Sequence, residues 1–139
     1  MFRNPDTESL RTLLKSVKTV AVVGLSPNVR RPSHQVAANM QRHFGWRIVP
    51  VRPLVDSVLG EKAYASLRDI PFPVDLVDVF RNATEVGPIV DDCIAIGAKR
   101  LWLQDGVIND AEALRAQAAG IEVVMDRCVW RDAAQLLTA

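Results

Sequence analysis

Serines and arginines crowd one short segment, Gly24-Leu-Ser-Pro-Asn-Val-Arg-Arg-Pro-Ser33. Hydroxyl and guanidinium groups at a strand-to-helix turn are the parts of an anion site. Unpaired N–H groups and the positive end of the helix dipole would converge there. Arg30 and Arg31 add positive charge, and Ser26 and Ser33 add hydroxyls. The chemistry indicated is binding of a phosphate-bearing small molecule. The turn is neither G-x-G-x-x-G nor G-x-x-x-x-G-K-S/T, because Gly24 is its sole glycine. A plain structural turn is the competing reading.

Further on, Val51-Arg52-Pro53 ends an apolar run. NAD-binding domains place an acid at this point to hold the ribose hydroxyls. A positive charge favours a phosphorylated ribose instead, which arginine can pair bidentately. Coenzyme A or NADP suits that better than NAD, with a solvated arginine as the alternative. Phe80-Arg81 and Leu103-Gln104-Asp105-Gly106 follow two later apolar runs. They offer a ring to pack on adenine or an aliphatic arm, and polar groups for phosphate or amide.

Catalytic constellations are sparse. His34 and His43 are the only histidines, nine residues apart on one expected helix and hence on opposite faces. They cannot share a metal. Neither serine of the first turn lies in a G-x-S-x-G context. Asp91 and Asp92 read as solvated and Cys93 as core. Cys128 follows an apolar run on the ligand edge, with Arg127 beside it as a candidate activating cation. It is the one candidate redox thiol. No catalytic residue and no metal ligand is expected.

The elements that must position these groups alternate throughout. Asp6 or Thr7 can cap a first helix with Leu10, Leu13, Leu14 and Val17 on one face. Strands are expected at Thr19 to Val23, Arg47 to Val51, Asp75 to Val79, Lys99 to Leu103 and Ile121 to Met125. A second helix runs from about Pro32 to Phe44 and stops at Gly45. An irregular region reaches Pro73, with short helical turns near Ser57 and Ser66. Thr84 can cap a third helix that ends at Gly97, with Val86, Ile89, Val90, Cys93 and Ile94 as its stripe. Asn109 with Glu112 resembles a capping box for a fourth, ended by Gly120. A last helix takes Val129 to Leu137.

Strand–helix–strand units of this size predict a parallel sheet with right-handed crossovers. The expectation is a three-layer α/β Rossmann-like fold with five parallel strands in the order 3-2-1-4-5, the order 2-1-3-4-5 remaining open. In either, ligands bind beyond the carboxyl ends of the strands, beside the first.

The chain of 139 residues is read as a single domain, 1–139. A net charge of +1 with no basic stripe gives no support to nucleic-acid binding. No apolar run approaches a membrane span, no signal-peptide pattern opens the chain, and two cysteines make no disulfide framework. The cytoplasm is the expected compartment.

Taken together, these segments resemble the small, stand-alone CoA-binding proteins, similar to the N-terminal CoA-binding domain of the succinyl-CoA synthetase α-subunit. The carrying motifs are Val20-Ala-Val-Val-Gly-Leu-Ser26, Arg31-Pro-Ser33, Ile48-Val-Pro-Val-Arg-Pro53 and Leu59-Gly60. Tyr64-Ala-Ser-Leu67, Asp75-Leu-Val-Asp-Val-Phe-Arg81 and Ile96-Gly-Ala98 follow, then Trp102-Leu-Gln104, Gly106-Val107 and Val123-Val-Met-Asp-Arg-Cys128. Most members carry asparagine where Arg52 stands. The resemblance implies a Rossmann-like fold binding CoA, or an acyl-CoA, at the carboxyl edge. Gly24, Leu25, Ser26, Arg31, Pro32 and Ser33 would surround the pyrophosphate. Val51, Arg52 and Pro53 would face the adenosine or its 3′-phosphate. Phe80 and Arg81 would border the nucleotide or pantetheine, and Gln104 and Gly106 the pantetheine arm. The ligase reaction is not implied, because the phosphohistidine segment has no counterpart. An NADP-dependent enzyme and an interaction domain that has lost its ligand are the rival readings.

Overall fold

A computed structural model describes residues 1–137 of the chain. Helix α1 (Thr7–Lys15) is capped by the Asp6 carboxylate, which accepts the Ser9 N–H at 2.8 Å. Its buried Leu10, Leu13 and Leu14 face the sheet. Strand β1 (Thr19–Val23) follows, then α2 (Pro32–Phe44) and β2 (Arg47–Val51). A small antiparallel pair, β3 (Ser57–Val58) and β4 (Glu61–Lys62), comes next. After it come β5 (Leu76–Val79), α3 (Val86–Ile96), β6 (Arg100–Leu103), α4 (Asp110–Ala118), β7 (Glu122–Met125) and α5 (Val129–Leu137).

The five long strands form one parallel sheet in the order β2-β1-β5-β6-β7. The Rossmann-like three-layer expectation holds, but the order is 2-1-3-4-5 and not 3-2-1-4-5. The reason lies in the segment after β2. Tyr64 forms a parallel bridge to Val51, its N–H donating to Pro50 O and its carbonyl accepting Arg52 N–H. The outer edge of β2 is thereby covered, and β5 pairs with the free edge of β1 instead. At the other end of the sheet, the Asn4 side chain exchanges two hydrogen bonds with the backbone of Met125, at 2.9 and 2.8 Å.

Helices α1, α2 and α5 cover one face, with Val20, Val22, Leu25, Leu76, Trp102 and Val124 in their core. Helices α3 and α4 cover the other, over Ala21, Val77, Val79, Leu101 and Val123. Strand residues alternate between the two cores because successive side chains point to opposite faces. Burial of each such aliphatic side chain stabilises by roughly 1.5–3 kcal/mol.

Local differences from the sequence expectation have local causes. The turn near Ser57 is the β3–β4 hairpin, not a helical turn. Thr84 does not cap α3. It lies in a 3-10 turn, Ala83–Glu85, that leads into the helix. Asn109 caps α4 by accepting the Glu112 N–H at 3.1 Å, but the Glu112 carboxylate turns to Arg115, so the reciprocal half of the box is not made. Ile94 is 43% exposed and lies off the α3 stripe.

Candidate functional site

With β1 and β5 adjacent and their crossovers leaving in opposite directions, a crevice opens beyond their carboxyl ends. It is a cleft of about 1000 Å³ lined by the segments that follow β1, β2, β5, β6 and β7. A smaller cavity of about 420 Å³ lies at the opposite, amino edge, among Phe72, Ile96 and Lys99. The polar strand-end groups converge only on the larger one.

The cleft floor starts at Gly24, which has φ +85. The turn after β1 is built from its own polar groups. Ser33 Oγ accepts the Ser26 N–H at 3.0 Å, and Ser26 Oγ accepts the Asn28 N–H at 3.1 Å. The His34 ring bonds the Ser26 carbonyl at 2.9 Å. Arg31 takes the N-cap position of α2 in extended conformation, and no side chain caps that helix. Pro32 at its start has no N–H to satisfy. The positive end of α2 thus opens on the cleft, beside Arg31 and Ser33.

The other wall is held by ion pairs. Arg81 is gripped bidentately by Glu85, at 3.1 and 2.5 Å. That pairing raises the Arg81 pKa and lowers that of Glu85. Arg131 pairs with Asp105 at 2.9 and 3.0 Å, holding its carboxyl below the usual range. The Gly106 N–H donates to Asp126 Oδ1 at 2.8 Å, tying the β6 loop to the β7 loop. Gln104 is buried, and its Oε1 accepts the Val129 N–H at 3.0 Å at the start of α5.

Charge is therefore segregated along the cleft. Arg31 and Arg52 line one end, and neither has an ion-pair partner among the described residues. Arg81, the third arginine that lines the cleft, is neutralised by Glu85.

Gly24, Ser26, Arg31, Pro32, Ser33, Arg52, Phe80, Arg81, Gln104, Gly106 and Cys128 all line the cleft, as the sequence places them. Leu25 and Val51 do not, because both side chains are buried in the two cores. Pro53 is exposed and lies outside. Asn82, Ala83 and Val107, within the strand-end segments the sequence points to, also line the cleft, and Val36 lines it from outside those segments. Val36 follows Ser33 by three residues, a helical spacing that puts both on one face.

The two thiols differ as expected. Burial, aided by the Asp92 charge, pushes the Cys93 thiol up to about 12, and it sits in the core. Cys128 is 7% exposed and borders the cleft. Its expected activator is placed otherwise, however. The Arg127 guanidinium is held bidentately by the buried Asp132, at 2.5 and 3.0 Å, which raises the Arg127 pKa. Among the described residues no cluster of three or more metal-ligating side chains occurs, and no helix is long and apolar enough to cross a membrane.

Residues 18–133 match the profile of a family described as a CoA binding domain. The chain is 35% identical over 128 residues to the uncharacterized protein YneT of Bacillus subtilis (strain 168), covering 92% of this chain and 94% of that one. It is 30% identical over 120 residues to acetate–CoA ligase (ADP-forming) II subunit alpha of Pyrococcus furiosus, covering 79% of this chain and 26% of the subunit. Among solved structures, a hypothetical protein from Pyrococcus horikoshii OT3 superposes with a TM-score of 0.92 at 33% identity, covering 99% of each chain.

Proposed function

Because the chain belongs to the CoA binding domain family, we propose that it binds coenzyme A, or an acyl-CoA, in the cleft beyond β1 and β5. The observation that carries this reading is the segregation of charge. The two unpaired arginines, Arg31 and Arg52, suit the phosphates of 3′-phospho-ADP. The uncapped start of α2 adds the Ser33 N–H and a dipole for the pyrophosphate, since Pro32 has no N–H and those of His34 and Gln35 go to the Arg31 carbonyl. Where Arg81 is neutralised by Glu85, the cleft suits the uncharged pantetheine arm, which would pass Phe80 and Gln104 and bring the thiol to Cys128.

The residues do binding and orientation in this reading. No nucleophile–base pair with an orienting third group occurs among the described residues of the cleft. The His34 ring is spent on the Ser26 carbonyl, and His43 stacks on Trp130 with ring centroids 5.1 Å apart.

Native mass spectrometry of freshly purified protein, followed by calorimetry with CoA, tests the proposal. A co-purifying CoA, or saturable one-to-one binding of added CoA, supports it. A co-purifying nicotinamide dinucleotide, or NADP binding with no response to CoA, overturns it in favour of the NADP-dependent enzyme.

A further inference from the structure

Gln104 is only 4% exposed, yet half of its carboxamide is unused. Its Oε1 accepts the Val129 N–H, which fixes the orientation of the amide because a donor cannot face a donor. Nε2 therefore presents its two hydrogens elsewhere, with no acceptor among the described residues, on a side chain that lines the cleft. Nε2 is not among the sealed, partnerless polar atoms of the described residues, so its hydrogens meet the open cleft. A carbonyl oxygen, an acceptor with no proton of its own, is the complementary ligand group.

The N–H that Gln104 holds belongs to the peptide joining Cys128 to Val129. The carboxamide and the thiol-bearing residue are thus one peptide unit apart on the same wall. Cys128 directly precedes α5, and its carbonyl accepts the Asp132 N–H at 3.0 Å, the first turn of that helix. The thiol stands at the positive end of a nine-residue helix. A nucleophilic sulfur, a preorganised N–H donor and a helix start are together the requirements of acyl transfer at a thioester.

We propose that Cys128 accepts the acyl group of an acyl-CoA by thioester exchange, with Gln104 Nε2 holding the carbonyl oxygen. The proposal rests on the CoA reading above. The Cys128 thiol first gives its proton to water. Its sulfur then adds to the thioester carbonyl carbon, and the carbonyl electron pair moves onto the oxygen that Gln104 holds. Collapse breaks the carbon–sulfur bond to CoA, whose thiolate leaves and takes a proton from water. One thioester forms as one breaks, so no oxidant or other co-reactant is consumed. The products are S-acyl-Cys128 and free CoA.

The test is intact mass of the full chain after incubation with acetyl-CoA, alongside calorimetry with CoA on the same preparation. One acetyl adduct is expected, removed by neutral hydroxylamine and reversed by excess free CoA. It should be absent in Cys128→Ser and present in Cys93→Ser. Gln104→Glu keeps an oxygen for the Val129 N–H but loses the amide donors. It should melt near wild type while adduct formation slows roughly 100-fold. If Gln104→Glu fails to fold, the two cysteine variants decide. CoA binding without an adduct overturns the transfer and leaves the binding reading intact. An adduct on Cys93, or an unchanged rate in a folded Gln104→Glu, overturns it as well. Absence of any CoA binding overturns both.

Discussion

A β-carbon on Gly24 would lie 2.5 Å from the Phe80 carbonyl oxygen and 2.9 Å from Arg81 Cδ. The ends of β1 and β5 therefore approach so closely that only glycine fits, and φ +85 asks for glycine again. Backbone atoms on the Phe80 side cannot swing aside as a side-chain tip would. Gly24→Ala is expected to destabilise by roughly 2–5 kcal/mol, from left-handed strain plus overpacking. Denaturant unfolding measures it, and a midpoint equal to wild type would refute the close approach.

Arg52 has no ion-pair partner among the described residues and borders the cleft. CoA should bind more tightly than its 3′-dephospho analogue, by ~1.5–3 kcal/mol for a charge-assisted bond. The difference should vanish in Arg52→Ala. Calorimetry with both ligands checks it, and equal affinities in wild type would remove Arg52 from the site.

Arg31→Ala combined with Ser33→Ala should weaken CoA binding while the domain still folds. Ser33 Oγ accepts the Ser26 N–H, so its loss leaves one donor unpaired, costing about 1 kcal/mol or somewhat more. The melting temperature should fall by only a few degrees. Unchanged affinity would mean that the phosphates bind elsewhere.

Asp78 is fully buried between its register partners Val22 and Trp102, and neither carboxylate oxygen has a hydrogen-bond partner among the described residues. Burial pushes its pKa well above the ordinary 3.8. The folded state thus holds the neutral acid, while the unfolded state ionises. Stability from this group is fully present below the unfolded pKa and is lost as pH rises towards the folded one. The slope is about 1.4 kcal/mol per pH unit while only the unfolded state ionises. Asp78→Asn should therefore gain on wild type as pH rises above 4, read by denaturant melts across pH. A pH-independent difference would place an unrecognised partner beside Asp78.

CoA disulfide should form a mixed disulfide with Cys128. The Cys128 thiolate attacks one sulfur of the reagent and releases CoA thiolate, so the oxidant is the reagent itself. Cys93, in the core with its thiol at about 12, should not react. Intact mass before and after reduction, in wild type and Cys128→Ser, reads the outcome. An adduct that survives in Cys128→Ser would return Cys128 to packing.

Much of this protein follows from local sequence. Apolar runs of four to five residues separated by periodic helical stretches define the parallel sheet, because each run is buried on both faces. The strand ends then single out Ser26, Arg31, Ser33, Arg52, Phe80, Gln104 and Cys128, since in such sheets the carboxyl edge is where backbone and side-chain donors are left over. Tertiary structure decided what depends on neighbours distant in the chain. Strand order turned on Tyr64 covering the edge of β2, a contact that no periodicity reports. The inward turn of Leu25 and Val51 depended on which core lay beneath each. Which arginines remain free was settled by carboxylates met in space. Asp105 reaches Arg131 across 26 positions, and Asp132 takes the guanidinium that the sequence had put beside Cys128. A charge is written in the sequence, but its partner is fixed by distance, and distance is a property of the folded chain.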